Sequence, residues 1–259
     1  MPSNARVIVA GETNVGMKRS HNEDNFALID DEKLFIVADG MGGHASGEVA
    51  SQMAIETVRE FFKATNDDPE STWPYKMDKA RGYEENRLIT GIKLANLRIF
   101  EGAQKEPKLR GMGTTLVSIL VVDDGVLVAH VGDSRVYRIR DKKLEQLTED
   151  HSLLNDYIKM KRLTEEEIAN FPHKNVIVRA LGMKDSVKVD LLLDQPKPGD
   201  VYLLCSDGLS GPVTDAEIQE ITTSTNELRT ACAKLIERAN ANGGPHNVTV
   251  VMAKWIGGR

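Results

Sequence analysis

The sequence predicts an α+β protein built on antiparallel strands with paired helices. Short apolar strand patterns meet at tight polar turns, Asp30-Asp31-Glu32-Lys33 and Asp123-Asp124-Gly125. Such turns make hairpins, whereas parallel strands need long crossovers. Two long amphipathic helical patterns follow one another with no strand between them, which an alternating βαβ chain does not have. Carboxylates recur where apolar strand patterns end beside glycine.

In chain order, 6–10 is a short strand pattern and 11–16 reads as a turn. Residues 18–26, KRSHNEDNF, are polar and lead into strands over 26–29 and 34–38. The stretch 34–48, LFIVADGMGGHASGE, runs from a buried strand through Asp39 into glycines and then a helical pattern. Taken alone it is either a capped strand-to-helix corner or a carboxylate beside bare backbone, suited to a hard cation or a phosphate. Val49, Met53, Ala54, Val58, Phe61 and Phe62 recur at helical spacing over 48–64. Residues 66–83, with Pro69 and Pro74, read as a loop. Leu88, Ile92, Ala95 and Ile99 mark a second helix.

A glycine-punctuated stretch, 108–114, opens a run of strands at 115–122, 126–131 and 136–140, with a turn at Asp141-Lys142-Lys143. Asp133 interrupts that run beside Gly132. Residues 147–180 are charged and mostly helical, with a capping-box pattern at Thr164 and Glu167 and a break at Phe171-Pro172-His173. This insertion-like segment suits either a lid or a plain surface subdomain. Strands follow at 187–193 and 201–205, the latter ending in Ser206-Asp207-Gly208. Helices are predicted from Thr214 and over 226–241, closed by Gly243-Gly244. His246 and Asn247 precede a last strand over 248–255. With no repeat, low-complexity tract or linker, residues 1–259 read as one domain.

The bulk numbers exclude several classes of function. The chain has 259 residues, 41% apolar and 28% charged, with a net charge of -6. That balance, without a Lys/Arg-rich run, argues against nucleic acid. No segment approaches the roughly 20 apolar residues of a membrane span. The first 14 residues lack the apolar run of a signal peptide, so a cytoplasmic protein is expected. Cys205 and Cys232 sit in apolar patterns and read as core thiols, not a disulfide.

Asp39, Asp133 and Asp207 each follow a buried strand, and Glu23, Asp24, His246 and Asn247 sit on turns before strands. Gathered carboxylates are costly unless a cation neutralises them, and Mg²⁺ or Mn²⁺ takes oxygen ligands. Arg19 adds a fixed cation able to hold a phosphoryl group through two oxygens. The chain has no GxxxxGK[ST] loop, HExxH or CxxC pair. Metal-assisted attack of water on a phosphate ester is the chemistry that remains.

The stretches RSHNEDNF, VADGMGGHASGEVAS, RGMGTTL, VGDSRVYRIR, DHSL, VIVRALG, LLCSDGLS and GGPHNVTVV, in this order, resemble the bacterial metal-dependent PPM-type (2C class) Ser/Thr protein phosphatases. The resemblance implies a four-layer α/β/β/α sandwich of two mainly antiparallel sheets flanked by helix pairs, with a variable flap around 147–180. It implies that Asp39 bridges two Mn²⁺ or Mg²⁺ ions, one of them also held by the Gly40 carbonyl, and that Asp207 ligates the second. Asp133 would help hold a third, looser ion. Glu23 and Asp24 would orient water, and Arg19 would bind the substrate phosphate. The implied partners are proteins phosphorylated on Ser or Thr and a cognate Ser/Thr kinase, with the enzyme a monomer.

Two positions depart from the family pattern. Met41 stands where eukaryotic members carry a His, as is usual in bacterial members. The nearest imidazole, His44, suits either proton transfer or a structural hydrogen bond. His246 stands where the family has an Asp that ligates the second metal. Three outcomes follow: His246 ligates and shifts preference toward Mn²⁺, the second site weakens, or the chain is a pseudophosphatase that binds phosphoproteins without turnover.

Overall fold

The structure, a computed structural model, describes residues 5–257 except 44–45, 69–71, 162, 170 and 172–175. His44, Pro69, Pro172 and His173 lie outside the described residues. The strands are β1 (Arg6–Asn14), β2 (Asp24–Ile29), β3 (Leu34–Met41), β4 (Gly113–Thr114), β5 (Leu116–Val122), β6 (Gly125–Val131), β7 (Arg135–Arg140), β8 (Lys143–Gln146), β9 (Asp190–Asp194), β10 (Val201–Cys205) and β11 (Val248–Gly257). The helices are α1 (Ser46–Asp67), α2 (Tyr83–Lys105), α3 (Leu153–Lys161), α4 (Glu165–Ala169), α5 (Asp207–Ser210), α6 (Asp215–Ser224) and α7 (Leu228–Ala241).

One sheet has the order β1-β11-β10-β7-β8 and the other β2-β3-β5-β6-β9, with β4 paired to β3. Every pairing is antiparallel. Side-chain alternation builds the layers. On β3, Phe35 and Val37 meet Tyr202, Leu204, Val251 and Ala253 of the facing sheet. Leu34, Ile36 and Ala38 point the other way, onto Val58 and Phe62 of α1 and Leu88 and Ile92 of α2. On β10 and β11, Leu203, Cys205, Val250 and Met252 pack against Cys232, Leu235 and Ile236 of α7. Central strands are thus apolar on both faces, which is why they read as unbroken runs. The expected four layers of helix, sheet, sheet and helix are present. Each fully buried Leu, Ile or Phe side chain contributes roughly 1.5–3 kcal/mol.

Several boundaries differ from expectation. β1 runs to Asn14, through the predicted turn, because β11 pairs it along its whole length as far as Asn14 opposite Val248. The carboxylate Asp39 lies inside β3, because Gly40 and Met41 continue the strand by pairing with β4. β8 was not expected; its charged sequence KLEQ suits a short, solvated edge strand. The predicted strand at 187–193 begins only at Asp190. Within 147–180 the helices are short, and an antiparallel bridge between Ser152 and Ile177 ties the segment's two ends together. Its expected capping box forms, with Thr164 N–H donating to Glu167 at 2.8 Å.

Candidate metal and phosphate site

The β2–β3 hairpin sets Asp24 opposite Asp39. Asp24 is 4% exposed. Its Oδ2 accepts hydrogen bonds from Ser206 Oγ and Thr249 Oγ1, both at 2.7 Å and both from the facing sheet's segments. Its Oδ1 is buried without a partner. Asp39 is fixed through its backbone: its N–H donates to Thr115 Oγ1 at 3.1 Å, and its carbonyl accepts from Thr115 N at 2.9 Å and Thr114 Oγ1 at 2.9 Å. Glycine is required at position 40, where a Cβ would stand 2.1 Å from the Gly47 carbonyl oxygen.

Thr115 also joins the second acidic turn to the first, sharing a 2.7 Å hydrogen bond with Ser134. Gly132 makes that turn possible with φ +110, in a place where a Cβ would meet Thr115 at 2.6 Å. Asp133 follows, and its Oδ1 is also buried and unpartnered. Asp207 opens α5 from the end of β10. Both its carboxylate oxygens face His246, whose Nδ1 donates to them at 2.8 and 2.7 Å. Asn247 clamps the polar loop: its Oδ1 accepts from Glu23 N, and its Nδ2 donates to the Val15 and His21 carbonyls, each at 2.9 Å. Glu23 in turn accepts from Gly47 N at 3.2 Å, at the start of α1. Arg19 is exposed and touches the Pro245 carbonyl through Nε at 3.4 Å.

Arg19, Glu23, Asp39, Gly40, Asp207 and His246 line one cavity of about 170 Å³, with Ile177 of the 147–180 segment in its wall. A neighbouring cavity of about 640 Å³ holds Asp133 and Asp150 and shares Asp207 and His246 with the first. Asp24 lies beneath them. All the residues singled out in the sequence therefore meet at one end of the sandwich, His44 being outside the described residues.

The electrostatics follow from burying acids together. Burial pushes Asp24 up to about 6. Burial, then Asp207 and Asp150, pushes Asp133 up to about 7. Asp39 is held well above the usual carboxylate range by burial first, then by Asp24, Asp207 and Asp133. His246 is raised, chiefly by its hydrogen bond to Asp207. The site carries excess negative charge that its own residues do not neutralise.

Among the described residues, one group of three potential ligands comes within 4.8 Å mutually: His130, His151 and Asp190. Its members are engaged with their own neighbours. His151 Nδ1 accepts from Gly132 N at 3.0 Å, His130 Nε2 bonds the Glu149 carbonyl at 2.9 Å, and Arg179 pairs with Asp190 at 3.1 Å. The acidic site instead spreads its carboxylates around open space.

The fold and this acidic site define a phosphoprotein phosphatase scaffold: the chain belongs to the protein phosphatase 2C family, whose model matches residues 16–255. It is 38% identical over 249 residues to the serine/threonine phosphatase stp of Listeria monocytogenes, covering 93% of each chain. Among solved structures it resembles Stp1 of Staphylococcus aureus, with TM-score 0.86, 32% identity and coverage of 99% and 98%. It also resembles the catalytic domain of the phosphatase PstP in complex with two manganese ions, with TM-score 0.78, 35% identity and coverage of 97% and 99%.

Sequence reasoning missed Ser206, Thr249, Thr115 and Ser134, the hydroxyls that hold Asp24 and link Asp39 to the Asp133 turn. The only signal for Ser206 was its place in the SDG turn; Thr249 looks like an ordinary strand residue.

Proposed function

We propose that this chain is a Mn²⁺- or Mg²⁺-dependent phosphatase acting on phosphoserine and phosphothreonine in proteins, opposing Ser/Thr kinases in a bacterial cytoplasm. The observation that carries this reading is the pair of buried, unpartnered carboxylate oxygens, Asp24 Oδ1 and Asp133 Oδ1, around a cluster of acids raised by one another. Such oxygens need a cation, and a carboxylate-rich donor set fits hard divalent ions.

Asp39 and the Gly40 carbonyl would hold the paired ions, with Asp207 beside the second, and Asp133 a further one. When bound, divalent ions supply Lewis-acid polarisation of the phosphate ester and acidify water. Arg19 holds the phosphate oxygens through its guanidinium fork and neutralises their charge. Glu23 and Asp24 orient water within the site. The flap at 147–180 brings Ile177 to the cavity wall, where the substrate chain enters. The protein acts as a monomer, and no helix among the described residues is long and apolar enough to cross a membrane. No observation favours a binding module without turnover; its sole motivation was the exchange at His246.

The test is hydrolysis of a chromogenic phosphate ester and of a phosphothreonine peptide with Mn²⁺, Mg²⁺ or chelator. Turnover should require metal and fall by about 10²-fold or more in Asp39→Asn, since metal charge stabilisation amounts to several kcal/mol. Turnover undiminished by chelator, or none with any metal, would overturn the reading.

A further inference from the structure

Resting on the phosphatase reading, we propose that His246 is a nitrogen ligand of the second metal through Nε2, with Asp207 as the carboxylate that orients its ring. The geometry is that of a carboxylate–histidine–metal arrangement. Asp207 accepts from Nδ1 through both oxygens, at 2.8 and 2.7 Å. A carboxylate only accepts here, so Nδ1 carries a proton, and in the neutral ring the lone pair then sits on Nε2. Among the described residues Nε2 has no hydrogen-bond partner. The ring lies on the wall shared by both cavities, the one that Asp39 lines and the one that Asp133 lines. Metal-bound histidines commonly donate their second N–H to a carboxylate, which fixes the tautomer and raises ligand basicity.

The backbone holds this ring in place before any ion arrives. Asn247, the next residue, makes three hydrogen bonds to the 15–23 loop. Val248 then enters the β1–β11 ladder opposite Asn14. Arg19 reaches the Pro245 carbonyl from the other side. His246 therefore sits on a clamped corner.

The chemical consequence is selectivity. Imidazole suits borderline transition ions, whereas Mg²⁺ takes oxygen ligands and dehydrates reluctantly. A mixed nitrogen and oxygen site prefers Mn²⁺ over Mg²⁺ more strongly than an all-oxygen site. The neutral imidazole also leaves one negative charge fewer to offset the ions.

The experiment is pulsed electron paramagnetic resonance on the chelator-stripped full chain reloaded with Mn²⁺, read for ¹⁴N coupling, beside calorimetric titration with Mn²⁺ and Mg²⁺. Wild type should show imidazole ¹⁴N coupling that disappears in both H246D and H246A. In H246D the ratio of Mn²⁺ to Mg²⁺ affinity should fall by about tenfold or more, the scale on which ligand surroundings tune metal affinity. Bound Mn²⁺ without ¹⁴N coupling, coupling that survives in H246D, or an unchanged affinity ratio would each overturn the nitrogen-ligand assignment and leave the phosphatase reading standing. If wild type binds no Mn²⁺ at all, the metal site itself is wrong and both readings fall.

Discussion

Asp24 and Asp39 are direct partners across the β2–β3 ladder, the first buried and the second half-buried at the cavity wall. Like charges placed opposite each other weaken a sheet, more so where solvent cannot screen them. Asp24 adds to the burial that holds the Asp39 carboxyl well above its usual range. The pair is a strained arrangement kept for what it binds.

Neutralising one member should therefore stabilise the empty protein. Asp39→Asn is expected to unfold later than wild type in chelator, by about 1 kcal/mol on the scale of cross-strand pairs. With saturating Mn²⁺ the order should reverse, because the variant loses the stabilisation that ligand binding gives the native state. Thermal unfolding in the two conditions reads both signs.

The pH dependence of the metal-free protein has a definite direction. Asp24 and Asp133 stand at about 6 and about 7 in the folded chain, against an ordinary value of 3.8. The native state binds these protons more tightly than the unfolded chain does. Their contribution to stability is whole below about 3.8 and is lost as pH rises through 6 to 7. Between pH 5 and 8 the chelated protein should lose denaturation midpoint, and Mn²⁺ should flatten the trend. A midpoint that rises over this range in chelator would contradict the raised carboxylates.

Thr249→Val keeps the shape of a β11 side chain and removes one of the two donors to Asp24 Oδ2. The loss of a buried hydrogen bond to a carboxylate should cost about 1–3 kcal/mol in urea unfolding. Metal affinity should also weaken, since Asp24 is less well held. A stability change under a few tenths of a kcal/mol would show that Ser206 alone suffices.

Cys205 and Cys232 are both free, buried in the core between β10, β11 and α7, and pushed up to about 12 by burial. Thiol reagents should label neither in the native chain within minutes, and both after denaturation. The melting temperature should be the same with and without reductant.

How much of this was legible in the sequence depends on the range of each contact. Hairpins such as β2–β3 announce themselves through short polar turns, and the doubly apolar β3, β10 and β11 announce their burial. Asp39, Asp133 and Asp207 were visible because each stands beside glycine or serine at a change of pattern. The bond from Ser206 to Asp24 spans 182 positions and that from Thr249 spans 225, so no local pattern carries them. The extension of β1 through a turn-like GETN was hidden for the same reason: its partner is at the other end of the chain. The pairing of His246 with Asp207 was within reach only as a substitution in a motif, and its geometry came from the fold.

β11 follows every other described element yet lies between β1 and β10 in its sheet. Its approach brings His246, Asn247 and Thr249 to a half-built cluster. During synthesis, β1 waits without its ladder partner until β11 leaves the ribosome, and Asp24 waits for one of its hydroxyls. A nascent chain lacking that strand has neither the β1–β11–β10 ladder nor the His246 and Thr249 contacts to Asp207 and Asp24, so the acidic cluster cannot assemble before this strand is made.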